Sequence, residues 1–182
     1  MRKPSPIVRV TLRFAIDLDG VVVDWDGGFR KVWNATHPDH QIPTQSRTWE
    51  SPFEDTGLSH TTFWKWIDDN EIYRDLPPLP NAIMALDMIL RYHDITFVTA
   101  RHERSESLTE EWVRSKGFHC PILHEKTKAS HEADVYVDDN NDNLREIIAA
   151  HPNKLVFRQV QPWNTHVEGT HAIDSLCDLV PC

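Results

Sequence analysis

Cysteine is scarce in this chain: the three residues, Cys120, Cys177 and Cys182, match neither a metal-ligand spacing nor an even disulfide framework. A reducing cytoplasm is the expected setting. Long apolar runs are absent too, since none approaches the ~20 residues that span a bilayer, and a membrane-spanning helix is excluded. The opening Met1-Arg2-Lys3-Pro4-Ser5-Pro6 carries two basic residues but no apolar stretch leading to a cleavage site, so no secretory leader is expected. Basic residues are outnumbered, 19 Lys and Arg against 28 Asp and Glu, for a net charge of −9. That balance argues against a surface that coats a nucleic-acid polymer, which needs a basic stripe. Eleven histidines are present, but His119, His124, His131 and the rest show no His-Glu-x-x-His spacing and no cysteine partners at zinc-ligand distance. Repeats and low-complexity tracts are absent.

What is there is a chain of 182 residues, 40% hydrophobic with seven tryptophans, which suits one domain with a modest insertion. Its most informative run is Ala15-Ile16-Asp17-Leu18-Asp19-Gly20-Val21-Val22, a hydrophobic strand closed by two carboxylates and a glycine. Side chains at i and i+2 of a strand point the same way, so Asp17 and Asp19 are expected to face one site at the strand's C-terminal end, where open α/β sheets bind ligands. Gly20 lets the backbone turn away without steric cost. Three further signals follow in order: an apolar strand from Asp94 ending in the hydroxyl of Thr99, a loop lysine (Lys126 or Lys128), and a short strand closed by Asp138-Asp139.

These residue types point to a chemistry. Clustered carboxylates repel and stay ionised together only around a cation, and Mg²⁺ favours oxygen ligands while keeping several waters. An acidic protein that binds a phosphate also needs that metal, so Mg²⁺ is the expected cofactor. Next to it, Asp17 can attack a phosphorus in line. Asp19 can protonate the leaving alkoxide and then deprotonate water. Thr99 and the backbone amides after it, at Ala100 and Arg101, can hydrogen-bond phosphate oxygens, and the lysine supplies fixed positive charge.

Along the chain, strand and helix alternate, the pattern of a parallel α/β sheet. Strands are expected at about 10–17, up to Thr99, near 121–124, around Val135 and at 155–157. Helices are expected at 82–92 with Asn81 as N-cap, from the capping box Ser107-Leu108-Thr109-Glu110 to Gly117, at 143–150, and at 172–179 as a closing helix. Between the first strand and Pro77-Pro78-Leu79-Pro80 lies an insert rich in aromatics: Phe29, Trp33, Trp49, Phe53, Phe63, Trp64 and Trp66. Most are expected to build the insert's own core. Trp25, a few residues beyond the carboxylate pair, is expected to touch substrate. Trp163 and Asn164 could shape a site edge, but an ordinary turn is the preferred reading.

The order of aspartate pair, threonine, lysine and aspartate pair resembles the haloacid dehalogenase (HAD) superfamily of phosphotransferases, from about Phe14 to the C-terminus. The resemblance implies a three-layer, Rossmann-like parallel core (residues 1–26 and 77–182) with a small, mainly helical cap at 27–76. It implies the catalytic roles above for Asp17, Asp19, Thr99 and the lysine, and metal ligation by Asp17, the Asp19 backbone carbonyl and a carboxylate of Asp138-Asp139. The superfamily's glycine-aspartate alternative at that pair favours Asp139 as direct ligand with Asp138 behind it. Spacing in the nearest relatives favours Lys128, ten residues before Asp138, over Lys126.

Within the superfamily the chain is most similar to the 5′(3′)-deoxyribonucleotidases. The similarity rests on Asp17-Leu18-Asp19-Gly20-Val21-Val22-Val23-Asp24-Trp25-Asp26-Gly27-Gly28-Phe29 and on the return Tyr73-Arg74-Asp75-Leu76-Pro77-Pro78-Leu79-Pro80-Asn81-Ala82. It implies a small phosphorylated substrate, a deoxyribonucleoside 5′-monophosphate, with Trp25 stacked on the base and Trp49 walling the sugar or base. An apolar wall at the ribose disfavours a 2′-hydroxyl by leaving it unpaired. The same resemblance leaves room for a homodimer. One departure stands out: a serine follows the threonine in the family, whereas this chain has Ala100 and then Arg101, which is expected to replace the lost phosphate contact. A sugar phosphate is the alternative substrate. A phospho-aspartate receiver or a binding protein is disfavoured, since a receiver lacks a counterpart of Asp19 and an aromatic cap.

Overall fold

The computed structural model describes residues 10–180; the N-terminal hexapeptide and Cys182 lie outside them. The strands are β1 (Arg13–Ile16), β2 (Asp94–Thr99), β3 (Ile122–His124), β4 (Val135–Asp138), β5 (Leu155–Gln159) and β6 (His171–Ile173). They form one parallel sheet in the order β3-β2-β1-β4-β5-β6. The helices are α1 (Trp25–Thr36), α2 (Ser51–Thr56), α3 (His60–Asp69), α4 (Ala82–Leu90), α5 (Glu106–Ser115) and α6 (Asn141–Ala150). The architecture is the expected parallel α/β sheet with helices on both faces, with α1 to α3 inserted after the first strand.

Both faces of the sheet are buried, as a parallel sheet requires. Phe14, Ile16, Phe97, Val135 and Val137 join one core with Ala85, Leu86 and Ile89 of α4 and Trp112 and Val113 of α5. The alternate residues Ala15, Val98 and Tyr136 pack on the other side with Leu144 and Ile147 of α6. The strand period of two thus divides the side chains between two helical layers. The order in which strands are added reverses between β1 and β4: β2 and β3 lie on one side of β1, β4 to β6 on the other. The crevice at that switch point brings the ends of β1, β2 and β4 side by side.

Several local expectations are corrected. The first strand spans only Arg13–Ile16, since Leu12 instead bonds the His93 ring through its N–H. Asn81 flanks α4 but sits at φ +61° and makes no side-chain cap. The Ser107 capping box does not form, because a 3₁₀ turn at Glu103–Ser105 runs directly into α5 and leaves Ser107 inside the helix. Helix α6 begins two residues early, where Asn140 accepts from the N–H groups of Asp142 and Asn143. The closing helix is absent: His171–Ile173 pair with β5 as an edge strand. Ser175 then caps only a short 3₁₀ turn, Leu176–Leu179, in a reciprocal box with Asp178. A short apolar run carries no period long enough to separate strand from helix.

Candidate active site

Asp17 follows β1 directly, its N–H still donating to the Val137 carbonyl at 3.0 Å. The chain then folds back, with the N–H groups of Val21, Val22 and Val23 converging on the Leu18 carbonyl. Gly20 lies at φ +80°, a region that favours glycine, and a Cβ there would overlap the Asp139 carboxylate. This close approach seats the loop after β1 against the end of β4.

Asp17, Asp138 and Asp139 are all buried, and each offers an oxygen within 4.8 Å of the others. Lys128 is buried with them, its Nζ 2.6 Å from Asp17 Oδ1 and 2.9 Å from Asp138 Oδ2. Burial alone would lower the lysine's pKa, but Asp138 and Asp17 outweigh it and hold the ammonium charged. Burial pushes the Asp17 carboxyl up to about 7; Lys128 opposes this, while Asp138 and Asp19 add to it. Asp139 is raised as well, first by burial and then by the charges of Asp17 and Asp138. Three carboxylates against one ammonium leave surplus negative charge in a site of oxygen donors, and a hard divalent cation fits such a site.

The two C-terminal carboxylates of β4 differ in how far they are committed. Asp138 accepts from Lys128, the Asn140 N–H at 2.8 Å and the Asn143 amide at 3.2 Å. Asp139 accepts one hydrogen bond, from Trp163 Nε1 to Oδ2 at 2.7 Å. Lys126, the other lysine candidate, is exposed at the cleft rim, away from the ion pairs.

Thr99 ends β2 fully buried, its hydroxyl accepting from the Arg101 N–H at 3.3 Å. Arg101 lines the cleft, as expected of a residue near substrate, but it has partners of its own. In its guanidinium, Nε and Nη2 bond the two oxygens of Asp19 at 2.8 and 2.5 Å, and Nη1 reaches Thr109 at 3.2 Å. The Tyr73 ring lies against its other face, 4.3 Å from Cζ. Consequently the Asp19 carboxylate stands apart from the Asp17-Asp138-Asp139 group, although both Asp17 and Asp19 line the same cleft.

That cleft holds about 520 Å³. Its floor carries Asp17, Asp19, Thr99, Ala100, Arg101, Lys128 and Asp139, and its walls carry Trp25, Trp49, Phe53 and Trp64 from the helical insert. Of the insert's aromatics, Phe29, Trp33 and Phe63 are core, as expected. Trp25 packs on Phe29 and Trp64, with ring centroids 4.9 and 5.9 Å away. Trp49 is 53% exposed although it faces the cleft. The loop bearing it is anchored by Arg30, 1% exposed, which donates to Asp26, Asp55, Ser46 and the Pro43 carbonyl at 2.7–3.0 Å. Asp26 in turn accepts from the Ser46 N–H and hydroxyl.

Trp163 and Asn164 prove to be more than a turn. The Asn164 amide donates to the Asp139 carbonyl at 2.9 Å, and Gln161 donates to the Gly20 carbonyl at 2.6 Å. The loop after β5 therefore braces both the β1 loop and Asp139. The site-edge alternative for Trp163 and Asn164 is the one that matches this geometry, which the placement of β5 beside β4 brings about. Tyr73 and Asn143 were also missed as site residues. Asn143 had a usable signal, since it lies four residues after Asp139 at the start of a helix.

The family model for "5′ nucleotidase, deoxy (pyrimidine), cytosolic type C protein" matches residues 10–180. A protein of Halalkalibacterium halodurans with a provisional nucleotidase name is 26% identical over 145 residues, covering 75% of this chain and 73% of that protein. The mitochondrial 5′(3′)-deoxyribonucleotidase of Homo sapiens is 29% identical over 145 residues, covering 72% of this chain and 63% of that enzyme. Among solved structures, an L-2-haloacid dehalogenase superposes with a TM-score of 0.58 at 11% identity, over 93% of this chain and 98% of that one. A HAD-superfamily hydrolase of Geobacter sulfurreducens gives 0.60 at 10% identity, over 93% and 94%. These two likenesses concern the fold.

Proposed function

The chain belongs to the deoxy (pyrimidine), cytosolic type C 5′ nucleotidase family within the HAD superfamily and is a phosphoric monoester hydrolase of nucleotides; on that premise we propose that it cleaves deoxyribonucleoside 5′-monophosphates through a phosphorylated Asp17, with Mg²⁺ as cofactor. The observation that carries the reading is Lys128, from the turn before β4, bridging Asp17 and Asp138 beside Asp139 at the ends of the neighbouring strands β1 and β4. Asp17 and Asp139 would hold the metal together with the Asp19 backbone carbonyl. Asp138, its oxygens already taken by Lys128, Asn140 and Asn143, orients the lysine. The bound metal would supply charge neutralisation for the phosphate.

The chain's own residues do the rest. An Asp17 oxygen forms a bond to phosphorus as the phosphorus–5′-oxygen bond breaks, and the departing alkoxide takes a proton from Asp19. Water then forms a bond to phosphorus, gives its proton to Asp19 and displaces the Asp17 oxygen. Lys128 offsets the negative charge that gathers on the transferring group. Ala100 and Thr99 hold phosphate oxygens by backbone N–H and hydroxyl. The insert at 27–76 serves as a cap over the core, whose described part is residues 10–26 and 77–180. Its Trp25 stacks on the base and Trp49 closes the outer side, and ring faces hold bases without close reading of identity.

The test is phosphate release with and without Mg²⁺ from dUMP, dTMP, dGMP, UMP, AMP and a set of sugar phosphates, with Asp17→Asn as blank. Mg²⁺-dependent turnover of deoxynucleotides above their ribo counterparts, lost in Asp17→Asn, is the expected result. Turnover confined to sugar phosphates would discard the base-stacking role of Trp25.

A further inference from the structure

The sequence singles out Arg101 as a departure that should restore a lost phosphate contact, and its geometry gives it other work. It is fully buried, and each of its three nitrogens is committed: two to Asp19 in a fork, one to Thr109. Thr109 is itself fixed, donating to the Ser105 carbonyl at 2.8 Å in the first turns of α5. A planar fork on a carboxylate sets both distance and orientation. Each Asp19 oxygen spends one lone pair on this fork and keeps another. From these contacts we propose that Arg101 is a positioning residue: it aims Asp19 at the water that hydrolyses phosphorylated Asp17.

The second half of the clamp comes from the insert. Tyr73 lies in a 3₁₀ turn at Ile72–Arg74, just before the chain returns to the core. Its ring covers the guanidinium face, and Trp112 of α5 bonds the Leu76 carbonyl at 2.7 Å. Arg101 is therefore held from two sides, by α5 through Thr109 and by the end of the insert through Tyr73, and it passes that restraint to Asp19 through the fork. A lysine at position 101 could keep the charge but not the fork.

The inference rests on the two-step reading above, and one substrate separates them. With p-nitrophenyl phosphate the first step releases a phenolate that needs no proton from Asp19. The second step still needs Asp19 to accept a proton from water as the oxygen–phosphorus bond forms. Enzyme in excess over substrate reports the first step as nitrophenol release; steady-state turnover reports the second where hydrolysis limits. Arg101→Ala is expected to slow steady-state turnover at least tenfold more than single-turnover release, with a burst approaching one equivalent, and millimolar guanidinium should restore part of the loss. Tyr73→Leu, which keeps both ionic partners, should give a smaller split of the same sense. Equal slowing of both phases in both variants would overturn the inference. Asp19→Asn is the control: if it splits the phases and Arg101→Ala does not, Arg101 alone is misassigned. If Asp19→Asn gives no split, the two-step reading itself fails.

Discussion

Replacing Lys128 by methionine removes one charge from the most crowded part of the site and little else, because the two side chains are close in length. In the wild-type protein Nζ lies 2.6 Å from Asp17 and 2.9 Å from Asp138, all three side chains buried. Removing one partner of a buried ion pair leaves an uncompensated charge and costs about 3–5 kcal/mol. Here the loss has a partial escape, since the carboxyls can take up protons instead. Its size should therefore depend on pH, and the sign follows from the groups involved. Lys128 has its pKa raised above the unfolded value, so its stabilisation is fully present below the unfolded lysine range and does not change between pH 5.5 and 8. Asp17 is raised by burial from 3.8 to about 7. Folded protein then holds a proton the unfolded chain has released, so this group weakens the fold progressively as pH rises from about 4 to 7.

Without the ammonium, Asp17 and Asp139 both move further up and the penalty keeps growing past pH 7. The expected destabilisation of Lys128→Met in metal-free buffer is thus about 3 kcal/mol at pH 8 and clearly smaller at pH 5.5. At pH 8 that corresponds to a melting temperature lower by roughly 6–12 °C for a domain of this size. Urea unfolding of both proteins at the two pH values, followed by tryptophan fluorescence, measures it. Adding Mg²⁺ at pH 8 should recover part of the loss, because a divalent cation replaces the missing charge, and a ligand at a hundred times its Kd adds about 2.7 kcal/mol. A difference between the proteins that stays the same at pH 5.5 and pH 8 would refute the reasoning.

Two further substitutions test the site's construction. Gly20→Ala places a methyl group on the Asp139 carboxylate at a left-handed φ of +80°; a loss of at least about 2 kcal/mol is expected from strain and overlap together, with Mg²⁺ giving a smaller rise in melting temperature than in wild type, and a neutral result by thermal unfolding would contradict the close approach. Arg30→Met empties the hub that ties Asp26, Asp55 and Ser46. With the Trp49 loop released, KM for a deoxynucleotide should rise several-fold while single-turnover cleavage of p-nitrophenyl phosphate holds; unchanged KM in a folded variant would show that the network does not shape the base pocket.

The difference between what the sequence made legible and what it hid follows from how far apart the partners lie. Asp17, Thr99 and Asp138-Asp139 each close an apolar strand, and the parallel sheet alone is enough to bring such ends together once β1 lies between β2 and β4. Alternating burial and the strand-helix rhythm encode that much locally. Arg101 was marked by its neighbours as a phosphate ligand, and nothing local could show that Asp19, at a separation of 82 residues, would take two of its nitrogens. The partner of Trp163 was hidden for the same reason: its bond to Asp139 crosses 24 residues and depends on β5 pairing beside β4. The closing segment failed differently, since Ala172 to Leu179 is too short for any period to decide between an edge strand and a helix. Motif order therefore recovers the groups that meet phosphate, because their positions are set by strand ends. Residues that aim those groups are reached through side chains from other elements. The Arg101 clamp and the Trp163 brace belong to that second kind, and chain-specific differences in rate within a shared chemistry are expected to reside there.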